Sequence, residues 1–68
     1  MATYAKTIEM SAESPNNFDD AIEAGVQRAN DTIEHISNVW VKDQEVIVEN
    51  GTMTGYRAHL KVTFQTKD

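Results

Sequence analysis

The stretch YRAHLKVTF, residues 56–64, is the most regular part of the 68-residue chain. Its even positions, from Tyr56 to Phe64, are apolar or small, and its odd positions, from Arg57 to Thr63, are polar. Alternation with a period of two is typical of a strand that has one buried face and one exposed face. The apolar face needs a second layer of structure to cover it. The stretch therefore predicts a sheet with a single buried face.

The segment that covers this face is predicted from a second pattern, in which apolar or small residues recur every three or four positions. It comprises Phe18, Ile22, Gly25, Val26, Ala29, Ile33 and Ile36. This spacing predicts an amphipathic helix from about Pro15 to Ile36. Proline is favoured at the first helical position, which makes Ser14 the predicted N-cap. Glycine is unfavourable inside a helix, so we expect another element to approach closely at Gly25.

Two further strands complete the predicted fold. Residues 3–10 alternate with a period of two, and residues 39–48 are rich in valine but change phase, which predicts a bulge near residues 43–45. Asn50-Gly51 is a strong signal for a tight hairpin, because a type I′ turn needs positive φ at both central residues. The sequence thus predicts a single α+β domain over residues 1–68. Its order is β-α-β-β, with a three-stranded antiparallel sheet wrapped around one helix.

Length and composition predict self-association. A chain of 68 residues is close to the limit at which one hydrophobic core is sufficient. It contains no cysteine, which excludes disulfides and thiolate metal sites. The two histidines, His35 and His59, are far apart in sequence, so a structural zinc site is not expected. Oligomerisation is the remaining source of stability.

The charge balance argues against a nucleic-acid partner. Eleven acidic and six basic residues give a formal charge of −5, with no cluster of Lys and Arg. No stretch reaches the roughly 20 apolar residues of a membrane span, and the first residues lack a signal-peptide core. We expect a cytoplasmic protein with no membrane partner. No nucleophile–base pair or acid–base dyad is apparent, so an enzyme is not expected.

The candidate site is the stretch NVWVKDQ, residues 38–44, which contains the one tryptophan of the chain. Trp40 is either a platform for a flat ligand or an interface residue, since aromatic residues are also enriched at interfaces. Arg57 is expected to form an inter-subunit salt bridge with Asp43 or Glu45 rather than a ligand contact. Gln44 either recognises the edge of a ligand or forms a hydrogen bond between subunits.

The β-α-β-β order, the Ser14-Pro15 helix start and the closing residues 56–64 resemble the dodecins. These are small flavin-binding proteins that assemble as hollow dodecamers, and the resemblance extends from about Tyr4 to Gln65 without gaps. It implies a homododecamer that binds, stores or buffers riboflavin or FMN and has no catalytic residues. In the family, each flavin ring stacks on a tryptophan at the start of the second strand, and a glutamine on the last strand hydrogen-bonds its edge.

When the site positions of the family are mapped onto this chain, several carry a different residue. The family tryptophan position falls on Asn38, two residues before Trp40, a shift of about 6.5–7 Å along a strand. The glutamine position falls on Arg57. Glu45 occupies the position at which FMN binders of the family have an arginine. Asp43 occupies the position at which some members have an acidic residue near the ribityl chain. The cofactor-binding set implied by the resemblance is Trp40, Asn38, Asp43, Gln44 and Arg57.

A branch of the family resembles the chain in other respects. It lacks the usual tryptophan, has an arginine after the tyrosine of the last strand, as in Tyr56-Arg57, and has been associated with calcium. This resemblance implies an alternative, a structural or calcium-binding shell that holds no flavin. Calcium needs six to eight oxygen ligands, and no compact acidic loop of that kind is visible in one chain. Acids from several subunits would have to meet on a symmetry axis.

Overall fold

A computed structural model of the chain describes residues 4–66. The elements follow in the order β1 (Tyr4–Ser14), α1 (Phe18–Thr32), β2 (Ile36–Glu49) and β3 (Thr52–Thr66). The strand order in the sheet is β1-β3-β2, and both outer strands pair antiparallel with β3. The predicted α+β fold, a three-stranded antiparallel sheet around one helix, is confirmed.

The core lies between α1 and the centre of β3. Ala58, Leu60 and Val62 are fully buried or nearly so, as the alternation of residues 56–64 predicts. Ala21 of α1 packs into the same cluster. β3 supplies the largest part of this core because it is the central strand, with neighbours on both sides and the helix above it.

At Gly25 the helix and the sheet approach each other closely. A Cβ atom placed there would lie 2.6 Å from Cδ1 of Leu60 and 3.2 Å from Cβ of Ala12. The first distance is far below a van der Waals contact, so only glycine fits without movement of its neighbours. The close approach predicted from the sequence is confirmed.

The helix begins three residues later than predicted, and its N-cap is Asn17 rather than Ser14. The Oδ1 atom of Asn17 accepts a hydrogen bond from the backbone N–H of Asp20 at 2.7 Å. Ser14 instead ends β1, because a residue that precedes proline favours extended backbone. Its hydroxyl donates to the Oδ2 atom of Asp20 at 2.6 Å. The prediction of Ser14 as N-cap was wrong.

The helix also ends earlier than predicted, at Thr32 instead of Ile36. Ile33 has extended backbone, with φ −123° and ψ 128°, and the φ of His35 is 61°. Histidine tolerates this left-handed conformation better than most residues do. Ile36 pairs with Phe64 as the first residue of β2. Ile36 follows Ile33 by three residues, a spacing that also occurs on one face of a helix, and this extended the predicted helix too far. Both residues are β-branched, and such residues are weak helix formers.

Both outer strands are longer than predicted. β1 continues beyond its predicted end at residue 10, through residues 11–14, which pair with residues 56–59 of β3. The predicted first residue of this strand, Thr3, lies outside the described residues. In β2 the register shifts at Lys42, because Val41 and Asp43 pair with adjacent residues of β3. The bulge is thus one residue N-terminal to the predicted segment.

The hairpin between β2 and β3 is confirmed. Asn50 and Gly51 have φ values of 51° and 76°, both positive as a type I′ turn requires. Outside Gly51 and its two chain neighbours, no heavy atom lies within 4 Å of the place where a Cβ of Gly51 would stand. The turn therefore depends on backbone conformation and not on packing.

A single chain leaves much of its surface open. Its solvent-accessible surface is 4958 Å², whereas a compact protein of 7.6 kDa exposes about 4,300 Å². Its radius of gyration is 14.2 Å, against about 11 Å for a compact domain of this length. Within residues 4–66, no helix is long and apolar enough to cross a membrane. The large apolar side chains that remain exposed are Tyr4, Ile8, Trp40, Val46, Val48 and Met53.

Candidate functional site

The sheet surface turned away from α1, called here the polar face, consists of the odd-numbered residues 57–63 of β3 and their partners on β1 and β2. The register arranges these residues in four rows across the three strands. Residues in one row lie side by side, and successive rows are about 6.5–7 Å apart. In the order β1-β3-β2, the rows are Glu13-Arg57-Glu45, Ser11-His59-Asp43, Glu9-Lys61-Trp40 and Thr7-Thr63-Asn38.

Trp40 is the one large aromatic side chain in these rows. It is 59% exposed, the highest value among the exposed large apolar residues in the described part of the chain. The Nζ atom of Lys61 lies over its ring, 5.4 Å from the ring centroid. A cation at this distance is attracted by the negative face of an indole. The ring is thus oriented by a neighbour in its own row and remains open to a ligand.

A second lysine reaches the same row from the bulge. The Nζ atom of Lys42 donates a hydrogen bond to Oε1 of Glu9, at 3.0 Å, across the whole sheet. This hydrogen bond, together with the charge of Lys42, holds the pKa of Glu9 below its ordinary value. The same contact with Glu9 raises the pKa of Lys42. The bulge matters here because its extra residue supplies this cation.

Arg57 is paired with two carboxylates at the other end of the polar face. Its Nε and Nη2 atoms lie 2.8 Å and 2.6 Å from Oε1 of Glu13 on β1. Its Nη1 atom lies 3.1 Å from Oε1 of Glu45 on β2. Hydrogen bonds from Arg57 to Glu13 and then to Glu45 raise the pKa of the guanidinium. Within one chain, Arg57 thus pairs with Glu45, one of its two predicted partners, and not with Asp43. A salt bridge of Arg57 between subunits stays a prediction.

His59 continues this network to the next row. Its Nε2 atom is hydrogen-bonded to Oε1 of Glu45 at 2.6 Å, and its Nδ1 atom to Oγ of Ser11 at 2.9 Å. The hydrogen bonds from His59 and then Arg57 hold the pKa of Glu45 below its ordinary value. The fold therefore joins a serine, a histidine and a carboxylate that are far apart in sequence. They lie on an open sheet surface, where they connect all three strands.

The structure brings together four of the five predicted site residues. Asn38, Trp40, Asp43 and Arg57 share the polar face, but Gln44 pairs with Ala58 and lies on the helix side of the sheet. Along β3, Arg57 is two rows from the partner of Trp40, a distance of about 13 Å. Within one chain, a ring stacked on Trp40 has Asn38 and Asp43 in adjacent rows, whereas Arg57 is remote from it.

Sequence reasoning missed three charged residues near Trp40, namely Glu9, Lys42 and Lys61. A signal for Lys61 was present, because its parity in residues 56–64 already placed it on the polar face. Its pairing with Trp40 depends on the register of the hairpin, and the role of Lys42 depends on the position of the bulge. Within residues 4–66, no group of three or more His, Asp or Glu side chains is arranged to hold a metal ion.

The sequence comparison agrees with this architecture. A sequence model of the Dodecin family matches residues 4–67. The chain belongs to the dodecin family. It is 31% identical over 67 residues to calcium dodecin of Mycobacterium tuberculosis, covering 98% of this chain and 93% of that protein.

Solved dodecin structures have the same fold. The calcium-chelating immunodominant antigen of M. tuberculosis, calcium dodecin with a novel calcium-binding site, matches with a TM-score of 0.84 and 30% identity, over 94% of this chain and 91% of that one. Dodecin from Streptomyces coelicolor matches with a TM-score of 0.91 and 23% identity, over 97% and 94% of the two chains. Dodecin from Streptomyces davaonensis has a TM-score of 0.92 and 20% identity, with full coverage of both chains.

Proposed function

We propose that the chain is a subunit of a homododecameric shell that binds riboflavin by stacking on Trp40 and so stores or buffers the flavin without catalysis. The observation that carries this proposal is the 59% exposure of a lone tryptophan on the polar face. When bound, the isoalloxazine ring would supply its own light absorption and redox chemistry. The protein would hold the ring and exclude solvent from it.

The self-association in this proposal is supported by the open shape of the chain. Only two large side chains, Leu60 and Val62, are fully buried in the described residues. At about 25 cal/mol per Å² of apolar surface, so small a core contributes little against the entropy of ordering the backbone. Val46, Val48 and Met53 lie exposed near the hairpin, where a further copy of the chain can bury them.

The residues around Trp40 fit a flat heteroaromatic ring. Stacking on an aromatic side chain contributes about 1–3 kcal/mol per flat ring. Asn38, one row away on the same face, offers both donors and an acceptor to the edge of such a ring. In the other direction lie the carboxylates of Asp43 and Glu45, which repel a phosphate. This arrangement favours riboflavin over FMN.

A fluorescence titration tests the flavin proposal. Riboflavin added to the assembled protein is expected to lose its own emission and to quench that of Trp40. Trp40→Ala should abolish binding, whereas Trp40→Phe, which keeps an aromatic face, should weaken it only in part. Light scattering on each variant establishes whether the assembly, with twelve subunits expected, is retained. Unchanged riboflavin emission in the presence of micromolar native assembly would contradict the proposal.

A second function has one specific observation in its favour. The relative with 31% identity over nearly the whole chain is named calcium dodecin. In this alternative the chain forms a shell without flavin, and acidic residues from several copies hold calcium between subunits. The described part of one chain contains no complete site for a metal. Arg57, held by Glu13 and Glu45, then maintains the shape of the subunit.

Calcium binding is tested by the thermal stability of the assembly. A ligand that binds only the folded state raises the melting temperature as its concentration exceeds Kd. Millimolar Ca²⁺ should raise the melting temperature of the assembly, and a chelator should reverse the rise, while Mg²⁺ at equal concentration serves as the control. Equal curves with Ca²⁺, Mg²⁺ and chelator would exclude this alternative.

A further inference from the structure

The charges of the polar face are divided between its two ends. Beside Trp40 stand two lysines and one carboxylate: Lys61 over the ring and Lys42 paired with Glu9. Their formal charges sum to +1. The chain as a whole has a formal charge of −5. The row of Trp40, with Lys42 included, is therefore positive on an acidic protein, and the nearest further carboxylate on the polar face, that of Asp43, is in the next row.

The opposite end of the polar face is negative. Glu13, Glu45 and Asp43 stand there with a single guanidinium, that of Arg57, giving a formal charge of −2 when histidine is counted as neutral. Arg57 is bound to two of these carboxylates, which offset its positive charge. A molecule that lies along the polar face thus meets two lysines in the row of Trp40, one carboxylate, that of Asp43, in the next row, and two more in the row after that.

Lys61 is the lysine that is free to act on a ligand. Within residues 4–66, no carboxylate lies within 4.0 Å of its Nζ atom, whereas Lys42 is already paired with Glu9 at 3.0 Å. Lys61 is held near the indole by the weak attraction of a cation for a ring face. Its flexible four-carbon stem lets the ammonium move from the ring face to the edge of a stacked ligand.

We propose that Trp40 and Lys61 together select a planar aromatic ring with a negative charge on its edge over a neutral ring of the same shape. This inference rests on the proposed stacking at Trp40 and adds the charge of the ligand, anionic forms of an isoalloxazine included. An anionic edge gains a charge-assisted contact with Lys61, which a neutral edge does not offer. A negative group on a tail that extends toward Asp43 and Glu45 would instead be repelled by their carboxylates.

Two flat probes that differ in charge test this selection. 2-Anthracenecarboxylate and 2-anthracenemethanol share a three-ring plane, and binding of each to the native assembly is measured by fluorescence anisotropy at low salt. The carboxylate is expected to bind about two- to fivefold more tightly, the upper part of the range for an exposed ion pair. Lys61→Gln should reduce the ratio of the two affinities, carboxylate over alcohol, to near one. Trp40→Ala should weaken the binding of both probes.

A matched control is available on the other face of the sheet. Lys6 pairs with Phe64 and so lies on the helix side. Lys6→Gln makes the same change in net charge and is expected to leave the ratio intact, as is Lys61→Arg. For the native assembly, 0.5 M NaCl should bring the ratio of the two probe affinities towards one, because salt screens exposed charges.

The outcomes separate this inference from the flavin proposal. The charge selection would be overturned if the two probes bind the native assembly with equal affinity, or if the affinity ratio is unchanged in Lys61→Gln. It would also be overturned if neither probe binds. If riboflavin fails to bind while the probes behave as expected, the flavin function is lost and the selection at Trp40 stands. If riboflavin binds and the probes show no charge preference, the flavin function stands and the charge selection is lost.

Discussion

The Nη1 atom of Arg57 lies 3.1 Å from the Oε1 atom of Glu45 on the neighbouring strand of the same chain. That oxygen also contacts Nε2 of His59 at 2.6 Å, and the guanidinium reaches Glu13 on the third strand. Exposed ion pairs contribute little when they are isolated, but a connected set constrains several side chains together. The network therefore ties the three strands together at one end of the polar face, away from the exposed Trp40.

We predict that this network makes the fold sensitive to acid. The hydrogen bonds from His59 and Arg57 lower the pKa of Glu45 in the folded state. A lowered folded-state pKa contributes stability that is present above the unfolded value, about 4.3 for glutamate, and is lost as pH falls through the folded value. The melting temperature of the native protein should therefore fall more steeply below about pH 4.3 than that of Glu45→Gln.

The measurement is a series of thermal melts from pH 3 to pH 7 at fixed protein concentration, because the melting temperature of an oligomer depends on concentration. Glu45→Gln should lower the melting temperature at pH 7 and have a smaller effect at pH 3. Glu49→Gln is the control, since it changes the same kind of side chain near the hairpin. Parallel curves for the native protein and Glu45→Gln would show that the network has no such role.

Gly25→Ala should destabilise the fold through a direct clash. Its new Cβ would stand 2.6 Å from Cδ1 of Leu60 in the core. Overpacking of a well-packed core costs about 1–3 kcal/mol, more than the gain of about 1 kcal/mol from replacing glycine in a helix. Denaturant unfolding measures the difference, and Leu60→Val provides the background in which the clash is relieved. Equal costs of Gly25→Ala in both backgrounds would rule out this contact as the cause.

Gly51→Ala isolates a backbone effect. The φ of Gly51 is 76°, and no heavy atom outside Gly51 and its two chain neighbours lies within 4 Å of an added Cβ. The substitution should cost about 1–2 kcal/mol, because an L-residue with a Cβ is strained in left-handed backbone. Gly51→Asn should cost less, since asparagine tolerates this conformation. Chemical denaturation of the three proteins provides the ranking, and equal losses for alanine and asparagine would point away from backbone strain.

Much of the fold could be predicted because local patterns and tertiary packing agree. The alternation in residues 56–64 marks the central strand, and Asn50-Gly51 marks the hairpin. The prediction failed where a pattern had two interpretations. Ile33 and Ile36 continue a helical spacing, yet Ile36 is more stable in the sheet, where it pairs with Phe64.

The candidate site was only partly predictable for a related reason. Trp40 could be identified from composition alone, but its neighbours depend on the register, which the bulge at Lys42 changes by one residue. A one-residue shift moves every following side chain to the opposite face. Gln44 was therefore assigned to the site although it lies on the helix side, and Lys61 was overlooked although it covers the ring. The positions of Gln44 and Lys61 both depend on how distant strands pair, which cannot be read from the sequence of one strand.

The start of the helix provides a last prediction, in which pH distinguishes two neighbouring hydrogen bonds. Asn17→Ala removes the N-cap acceptor of the Asp20 N–H and should cost about 1 kcal/mol at every pH, because an amide oxygen does not titrate. Ser14→Ala removes the hydroxyl donor to the carboxylate of Asp20. The hydrogen bond from Ser14, followed by that from Asn16, lowers the pKa of Asp20.

The stabilisation from Ser14 is present above the unfolded pKa of aspartate, about 3.9, and is lost as pH falls through the lower folded value. The difference in melting temperature between native protein and Ser14→Ala should therefore shrink as pH is lowered from 6 to 2.5. The difference for Asn17→Ala should stay constant over the same range, which makes this variant the internal control. A constant difference for both variants would mean that Asp20 draws no pH-dependent stability from Ser14. A shrinking difference for Asn17→Ala would mean that the cap acts through the charge of Asp20 and not through its backbone N–H.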